Sequence, residues 1–293
     1  MSKVAWIGLG VMGYPMAGHL KASGHDVTVF NRTWAKAERW AAEHGGAIAA
    51  TPAAAARGAE FVFACVGNDN DLRDVTLGPD GLFQALEPGA VFVDHTTASA
   101  EIARELYEIA KTRSAGALDA PVSGGQSGAE TGKLTVMTGG DEADFAKAKP
   151  TIESYAKAVN LIGPAGSGQL TKMVNQICIS GLIQGLAEAL HFAMQAGLDM
   201  DKVIAAISKG TAQSWQMDNR WQTMIQGKFD YGFAVDWIRK DLAICFDEAR
   251  RNGASLPVTA LIDQFYADVQ KMGGRRWDTS SLIARLQHTE PNA

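Results

Sequence analysis

Three glycines near the start of the chain have the spacing of a turn that binds dinucleotides. Gly8, Gly10 and Gly13 follow an apolar run and precede residues 14–22, which are typical of a helix. In such turns the first glycine permits a tight bend, the second lets the backbone approach a pyrophosphate, and the third lets the helix pack on the strand. The alternative is a structural turn without a ligand. The pattern predicts a dinucleotide, bound at the start of a helix, in contact with Gly8, Leu9, Gly10, Val11, Met12 and Gly13.

The residues after the second predicted strand indicate which dinucleotide is bound. Strand 26–30 is followed by Asn31, Arg32 and Thr33, where an NAD-binding domain places an acidic side chain for the ribose 2′-hydroxyl. A carboxylate would repel a 2′-phosphate, whereas an amide, a guanidinium and a hydroxyl can all donate hydrogen bonds to one. The alternative is that Arg32 is an ordinary solvated side chain. We predict that the cofactor is NADP.

A serine and two glycines form a second candidate binding loop. Ser123, Gly124 and Gly125 follow a short apolar segment and supply a hydroxyl together with backbone N–H groups that a ligand can approach closely. Such a nest can hold a carboxylate. The alternative is an ordinary glycine turn.

Lys172 is the candidate acid–base group. We place it in the first turn of a long predicted helix, residues 170–196, where the helix dipole disfavours a positive charge. That location, together with burial, would lower the pKa of Lys172 and let it exchange protons near neutral pH. Hydride transfer to a carbonyl requires a proton donor, and the reverse reaction requires a base. Asn175 and Gln176 follow three and four residues later on the same face. The alternative for Lys172 is a surface lysine.

The elements that must position these residues fall into two halves. Up to about residue 163, apolar runs alternate with helical stretches, which predicts an α/β fold with a Rossmann-type doubly wound sheet. From residue 169 we find helical patterns and no convincing strand, so an all-helical domain should follow. We predict domains at 1–163 and 164–293, a hinge at 163–168, a loop at 67–71 and a frayed tail at 287–293. The strand ends at Gly8, Val66 and Asp94 should open into one crevice.

Composition excludes several classes of protein. A formal net charge of −5 argues against a general nucleic-acid binder. The three cysteines, Cys65, Cys178 and Cys245, are far apart and typical of a reducing compartment. We find no segment apolar enough to span a bilayer and expect no membrane partner. No metal is expected. We predict a cytoplasmic protein that forms a homodimer or homotetramer through its helical domain, because that domain has a long apolar helix.

The order of the motifs resembles the β-hydroxyacid dehydrogenase family, which includes 3-hydroxyisobutyrate dehydrogenase, tartronate semialdehyde reductase and plant-type glyoxylate/succinic semialdehyde reductase. The resemblance covers nearly the whole chain and rests on four segments in matching order: residues 8–16, 119–125, 166–172 and 240–242. It implies an NADP(H)-dependent enzyme that interconverts a small β- or γ-hydroxy acid and its semialdehyde.

The resemblance also implies roles for individual residues. The loop at Ser123, Gly124 and Gly125 would grip the acid group of the substrate, and Lys172 would be the general acid and base. An amide would orient the substrate, and either Asn175 or Gln176 fits that role. Further cofactor contacts are implied at Val66, Gly67, Thr97 and Lys240.

Several alternatives stay open at this point. A 6-phosphogluconate-dehydrogenase-like decarboxylase shares most motifs, but Asn175 stands where that enzyme has a histidine. A non-enzymatic NADPH-binding sensor would need neither Lys172 nor Ser123, and imine reductases typically lack the lysine. Trp237, Arg239 and the segment 215–220 either line a substrate pocket or pack helices together. The identity of the acid, the direction of reaction and the choice between dimer and tetramer are not determined by the sequence.

Overall fold

A computed structural model describes residues 1–287 of the chain. Two compact units divide between Lys172 and Met173, later than the boundary that we predicted at residues 163 and 164. That boundary stays a prediction. From residue 288 onward, the tail that we expected to fray lies outside the described residues.

The first unit contains the sheet. Its strands are β1 Lys3–Ile7, β2 Asp26–Phe30, β3 Ala47–Ile48, β4 Phe61–Ala64, β5 Val91–Asp94, β6 Gly116–Asp119, β7 Val122–Ser123, β8 Leu134–Gly139 and β9 Ala156–Gly163. The helices that begin in this unit are α1 Gly13–Ala22, α2 Trp34–His44, α3 Pro52–Ala56, α4 Asp69–Leu77, α5 Ala100–Thr112, α6 Gly125–Glu130, α7 Glu142–Ile152 and α8 Ser167–Gln195. A 3₁₀ turn spans Leu82–Gln84.

The strand order confirms the predicted doubly wound sheet. The strands pair in the order β3-β2-β1-β4-β5-β6-β8-β7, and β9 also pairs with β8. All pairs from β3 to β6 are parallel, so their carboxyl ends lie at one edge of the sheet. At that edge Asp94 of β5 is the register partner of both Ala64 and Asp119. The far side is mixed, because β8 is antiparallel to β6 and β7 and parallel to β9.

Both faces of the sheet are buried. Val4 and Trp6 of β1 belong to one apolar core, whereas Ala5 and Ile7 belong to a second core on the other face. Side chains alternate across a strand, so a strand covered on both faces has no polar positions. This explains why residues 4–7 of β1, 61–64 of β4 and 91–93 of β5 are continuous apolar runs in the sequence.

One predicted loop is largely a helix. Residues 67–71 are polar enough to be typical of a loop, but α4 begins at Asp69. The side chain of Asn68 accepts a hydrogen bond from the backbone N–H of Asp71 at 3.0 Å and caps the helix, and Asp69 lies in the first turn near the positive end of the dipole. The prediction was wrong because residues that cap a helix are the same types that form turns. The short or weakly patterned elements β7, α6, α7 and β9 were not predicted.

The second unit is helical throughout its described part, as predicted, and its described residues include no strand. Its helices after α8 are α9 Met200–Ile207, α10 Trp215–Ile225, α11 Val235–Asn252, α12 Pro257–Lys271 and α13 Leu282–Gln287, with 3₁₀ turns at Gly274–Arg276 and Thr279–Ser281. They surround a core to which Ile183, Val235, Tyr266 and Leu282 contribute side chains with no exposed surface.

Two arginines of the second unit, Arg220 and Arg239, form packing contacts. The guanidinium of Arg220 lies 4.9 Å from the ring centroids of both Trp215 and Tyr231, an arrangement that favours a cation over each aromatic face. Arg239 donates two hydrogen bonds to Asp263, at 2.9 and 3.0 Å, and so joins α11 to α12. These contacts support the packing interpretation of the two arginines.

Helix α8 has several buried polar side chains and several exposed apolar ones. Gln176 and Gln184 are among the buried polar residues, whereas Val174, Leu182 and Phe192 are exposed. With 29 residues, this helix is long and apolar enough to cross a membrane, so the expectation that no segment reaches that length is wrong. Length and composition alone are weak support for a membrane span, because the core helix of a soluble protein passes the same test.

The tight β1–α1 turn leads to a stability prediction. A Cβ added to Gly13 would lie 2.1 Å from the carbonyl oxygen of Gly8 and 2.8 Å from Nε1 of Trp6, whereas a Cβ on Gly10 would meet nothing within 4 Å. We expect Gly13→Ala to reduce the stability of the first unit by about 1–3 kcal/mol, because the backbone must move. Thermal unfolding followed by circular dichroism measures the change, with Gly10→Ala as the matched control. Equal unfolding midpoints for the two variants would contradict this account.

Candidate active site

The glycine turn has the geometry that a dinucleotide phosphate requires. Gly8 has a φ of +98°, and a Cβ on it would lie 2.3 Å from the carbonyl oxygen of Cys65, so both its conformation and its surroundings require glycine. Gly10 opens onto free space, and α1 begins without a side-chain cap on its N–H groups. A helix start with free N–H groups and an open approach fits a phosphate. The residues present therefore fit the predicted cofactor.

Asn31 ties the end of β2 to the glycine turn. Its Oδ1 accepts a hydrogen bond from the backbone N–H of Leu9 at 2.9 Å, and its Nδ2 donates to the carbonyl of Thr33 at 2.9 Å. The N–H of Leu9 and one amide proton of Asn31 are therefore engaged within the protein. From the sequence we expected Asn31 to act as a donor to a 2′-phosphate, and in the structure it also holds the glycine turn.

Arg32 is placed at the surface, where a phosphate can reach it. Its side chain is 86% exposed and forms an ion pair with Asp71 of α4, with Nη1 and Oδ1 separated by 3.2 Å. An exposed pair of this kind contributes little to stability, so a bound anion can replace it. The residues that follow β2 directly are Asn31 and Arg32, so no acidic side chain is present at the end of this strand.

The ends of β4 and β5 are joined by a threonine. The backbone N–H of Val66 donates to Oγ1 of Thr96 at 3.0 Å, and the N–H of Thr96 donates to Oδ1 of Asp94 at 2.9 Å. Burial raises the pKa of Asp94 to about 7, against the opposing effect of the bonds from Thr96. Gly67 and Thr97 lie beside these contacts and are half-buried.

His95 belongs to the core and not to the reactive chemistry. Its Nδ1 lies 2.6 Å from the carbonyl of Ala120, and its Nε2 lies 2.8 Å from the hydroxyl of Tyr155. Burial lowers the pKa of His95 to about 4, so the ring is neutral near pH 7. It therefore donates to the carbonyl through Nδ1 and accepts from the tyrosine through Nε2.

The structure brings Lys172 and the serine–glycine loop together within the first unit. Nζ of Lys172 donates to the carbonyl of Val122 at 2.9 Å, directly before Ser123, and only 8% of the lysine is exposed. Gly124 and Gly125 have φ values of +130° and +60°, which favour glycine at both positions. Burial of Lys172 is confirmed. Its placement in the first turn was wrong, because α8 begins at Ser167 and Lys172 lies in the second turn.

Two residues that sequence reasoning missed hold the start of α8. The carboxylate of Asp119, at the end of β6, accepts from the backbone N–H of Gly166 at 2.7 Å and of Gln169 at 2.8 Å. The Gln169 side chain donates to the carbonyl of Thr96 at 2.7 Å and accepts from the N–H of Ala98 at 3.1 Å. The predicted hinge segment is thus fixed to two strand ends. The sequence offered two signals: Asp119 is acidic at the end of a predicted strand, and both residues lie in segments that carry the family resemblance.

In the second unit a row of polar groups leads to Asn175. Nζ of Lys240 lies 3.0 Å from Oδ1 of Asp241, and Oδ2 of Asp241 accepts from Nε2 of Gln176 at 2.5 Å. Oε1 of Gln176 in turn accepts from Nδ2 of Asn175 at 2.8 Å. Gln176 and Asp241 are buried, whereas Asn175 is half-buried. Among residues 1–287, no group of three or more His, Cys, Asp or Glu side chains is placed to hold a metal ion.

Two family models match consecutive parts of the chain. Residues 3–163 match the NAD-binding domain of 6-phosphogluconate dehydrogenase. Residues 166–286 match the model described as NAD-binding of NADP-dependent 3-hydroxyisobutyrate dehydrogenase. Both descriptions name a nicotinamide cofactor, in agreement with the geometry of the glycine turn.

Individual relatives match the chain over almost its full length. An uncharacterized oxidoreductase of Shewanella frigidimarina is 63% identical over 98% of this chain and 99% of its own. The probable 3-hydroxyisobutyrate dehydrogenase-like 1 of Arabidopsis thaliana is 40% identical over 98% of this chain and 85% of its own. The structure of Mycobacterium tuberculosis 3-hydroxyisobutyrate dehydrogenase with L-serine has 30% identity and a TM-score of 0.89, covering 98% and 99% of the two chains. These matches show that the chain belongs to the β-hydroxyacid dehydrogenase family of nicotinamide-dependent oxidoreductases.

Proposed function

We propose that this protein uses NADP(H) to interconvert a small β- or γ-hydroxy acid and its semialdehyde. The observation that carries the proposal is the contact between Nζ of Lys172 and the carbonyl of Val122, beside the loop Ser123–Gly125. It places a proton donor next to a group of hydrogen-bond donors suited to a carboxylate. The relatives' names support the same class of substrate, since 3-hydroxyisobutyrate and L-serine are both β-hydroxy acids.

Lys172 supplies the proton that the reaction needs. NADP(H), when bound at the glycine turn, would supply the hydride for reduction of the carbonyl carbon and accept it in oxidation. As the carbonyl carbon gains hydride, the oxygen gains negative charge and takes a proton from the ammonium of Lys172, which becomes a neutral amine. In oxidation the amine accepts the hydroxyl proton. Only 8% of Lys172 is exposed, and burial in general disfavours the charged form of a lysine, which suits a group that must give up its proton.

The acid group of the substrate is held by the serine–glycine loop. Ser123 offers a hydroxyl, and the exposed backbone at Gly124 and Gly125 leaves room for a carboxylate. A carboxylate bound there brings the β- or γ-carbonyl of a short acid within reach of the Lys172 ammonium. This spacing favours small substrates over long ones.

Asn175 is the amide that we assign to the substrate, and Gln176 is the one that orients it. Both polar ends of the buried Gln176 side chain are occupied, one by Asp241 and the other by Asn175. Asn175 is half-buried, and its Oδ1 is not used in the bond to Gln176. It can therefore form a hydrogen bond with the substrate.

The preference for NADP rests on the end of β2. Arg32 is exposed there, and its chain neighbours Asn31 and Thr33 are not acidic. One matching family model describes an NADP-dependent dehydrogenase. A guanidinium binds a phosphate in two-point geometry, which a ribose hydroxyl does not offer.

Replacing Arg32 should weaken NADPH binding selectively. We expect Arg32→Gln to raise the dissociation constant for NADPH roughly ten- to 150-fold, because a charge-assisted hydrogen bond contributes about 1.5–3 kcal/mol. Affinity for NADH should change little. Fluorescence titration with each cofactor measures both constants. Arg57→Gln is the matched control, since Arg57 is exposed at the end of α3 and lies four residues before the start of β4, at the sheet edge opposite to the end of β2. Equal losses for NADPH and NADH, or a wild type that prefers NADH, would contradict the assignment.

Replacing Lys172 tests the reaction itself. We expect Lys172→Ala to lower kcat by about 10²–10⁴-fold, because general acid–base catalysis contributes a factor of that size. NADPH binding should be retained. Lys172→Arg should restore little, because a guanidinium keeps its proton near neutral pH. Consumption of NADPH with a panel of semialdehyde acids provides the measurement, and Lys157→Ala at an exposed position of β9 is the control. Near-wild-type turnover by Lys172→Ala would refute the mechanism.

The same assays separate the rival functions. A 6-phosphogluconate-dehydrogenase-like decarboxylase would release carbon dioxide from its substrate in the oxidative direction, whereas this reaction conserves every carbon atom. A non-enzymatic sensor would bind NADPH and show no turnover that depends on Lys172. Carbon dioxide release during oxidation would contradict the proposed function and favour the decarboxylase. Absence of turnover with every acid would contradict it and favour the sensor.

We also propose that a second copy of the chain covers the apolar stripe of α8, defined here as Val174, Cys178, Leu182, Gly185 and Phe192. These residues are exposed, and their spacing of three, four or seven places them on one face of the helix, where Glu188 is the exposed charged residue between Gly185 and Phe192. An apolar stripe of this length on a monomer marks an interaction surface.

Charges placed on this stripe should dissociate the assembly. We expect the double variant Leu182→Lys and Phe192→Lys to have the mass of a monomer in light scattering after gel filtration, with wild type at twice or four times that mass. Gln264→Lys, at an exposed position of α12, should leave the mass unchanged. A monomeric wild type would reject self-association, and binding of wild type to lipid vesicles would point to a membrane instead.

A further inference from the structure

Gln169 spans the backbone on both sides of Thr97. Its side chain has no exposed surface, and its two polar ends bind the carbonyl of Thr96 and the N–H of Ala98. These are the bonds that a neighbouring strand would make to an extended backbone. The backbone of the loop after β5 is therefore held by the Gln169 side chain of α8, as it would be by a neighbouring strand. The position of Thr97, between the two bonded residues, depends on Gln169.

The turn that carries Gln169 is itself fixed. Asp119 binds the backbone N–H groups of Gly166 and Gln169, and a Cβ on Gly168 would lie 2.5 Å from the carbonyl of Met137. The first turn of α8 thus lies directly against the ends of two strands, with no space between them. Gln169 cannot shift without breaking these contacts.

Lys172 follows Gln169 by three residues, or about 4.5 Å of helical rise on nearly the same face. A displacement of Gln169 would therefore move Lys172 relative to the loop that contains Thr97. We propose that Gln169 is a positioning residue that fixes the distance between Lys172 and the Thr97 loop. The inference rests on the proposed function, in which Lys172 transfers the proton and Thr97 lies near the nicotinamide.

The test uses Gln169→Met, which keeps the length of the side chain and removes both hydrogen bonds. We expect kcat to fall about ten- to 100-fold, because a misplacement near 1 Å has effects of that size. The KM values for the aldehyde acid and for NADPH should stay within about threefold, since Ser123 and the glycine turn are untouched. Gln184→Met is the matched control, because Gln184 is buried on the same helix and its Nε2 donates to Glu188, one turn further along α8. Its kcat should equal that of wild type.

A second variant and a second measurement keep the test decisive if Gln169→Met folds poorly. Gln169→Glu retains an acceptor for the N–H of Ala98 and loses the donor to Thr96, so its kcat should also fall. Amide hydrogen exchange of the cofactor-free protein should show faster exchange at Ala98 in Gln169→Met than in Gln184→Met.

The outcomes distinguish this inference from the proposed function. Wild-type turnover that depends on Lys172, together with an unchanged kcat in both Gln169 variants, would overturn the inference and leave the function in place. A rise in KM with unchanged kcat would also overturn it, because that result assigns Gln169 to binding. Absence of turnover in wild type would refute the proposed function first, and the inference with it.

Discussion

The buried carboxylate of Asp119 is the interaction on which the candidate site depends. It stands at the end of β6 and binds the first N–H groups of α8, where the helix dipole favours a negative charge. Burial raises the pKa of Asp119, and the N–H groups oppose that rise by stabilising the ionised form. Because the first turn of α8 is fixed by a strand from outside the helix, the position of Lys172 is set by the sheet.

The cofactor end of the fold is constrained by backbone packing. A Cβ on Gly8 or Gly13 would collide with carbonyl oxygens, whereas one on Gly10 would meet only open space. Two of the three glycines thus shape the turn, and the third leaves room for a ligand. Asn31 adds a further constraint, since its side chain joins this turn to the end of β2. The phosphate-binding turn and the predicted specificity loop are consequently one hydrogen-bonded unit.

Helix α8 buries several polar side chains along with its apolar core residues. Gln169, Lys172 and Gln176 are buried on it and each has hydrogen-bond partners, as buried polar groups require. The polar face carries the groups to which we assign the chemistry. The exposed face is mostly apolar, with Glu188 among its residues, and a large exposed apolar surface is typical of an interaction site.

The sequence by itself determined the class of fold, the glycine turn and the family. Each depends on local patterns: apolar runs with alternating helices, glycines at fixed spacing and short motifs in order. The roles of Asp119 and Gln169 were decided only by the tertiary structure, because their partners lie 47 to 73 positions away in the chain. Residues 67–71 were misjudged for a related reason, since Asn and Asp residues form turns and cap helices equally well. Spacing along a chain identifies candidate groups, but only packing determines which of them are held in place.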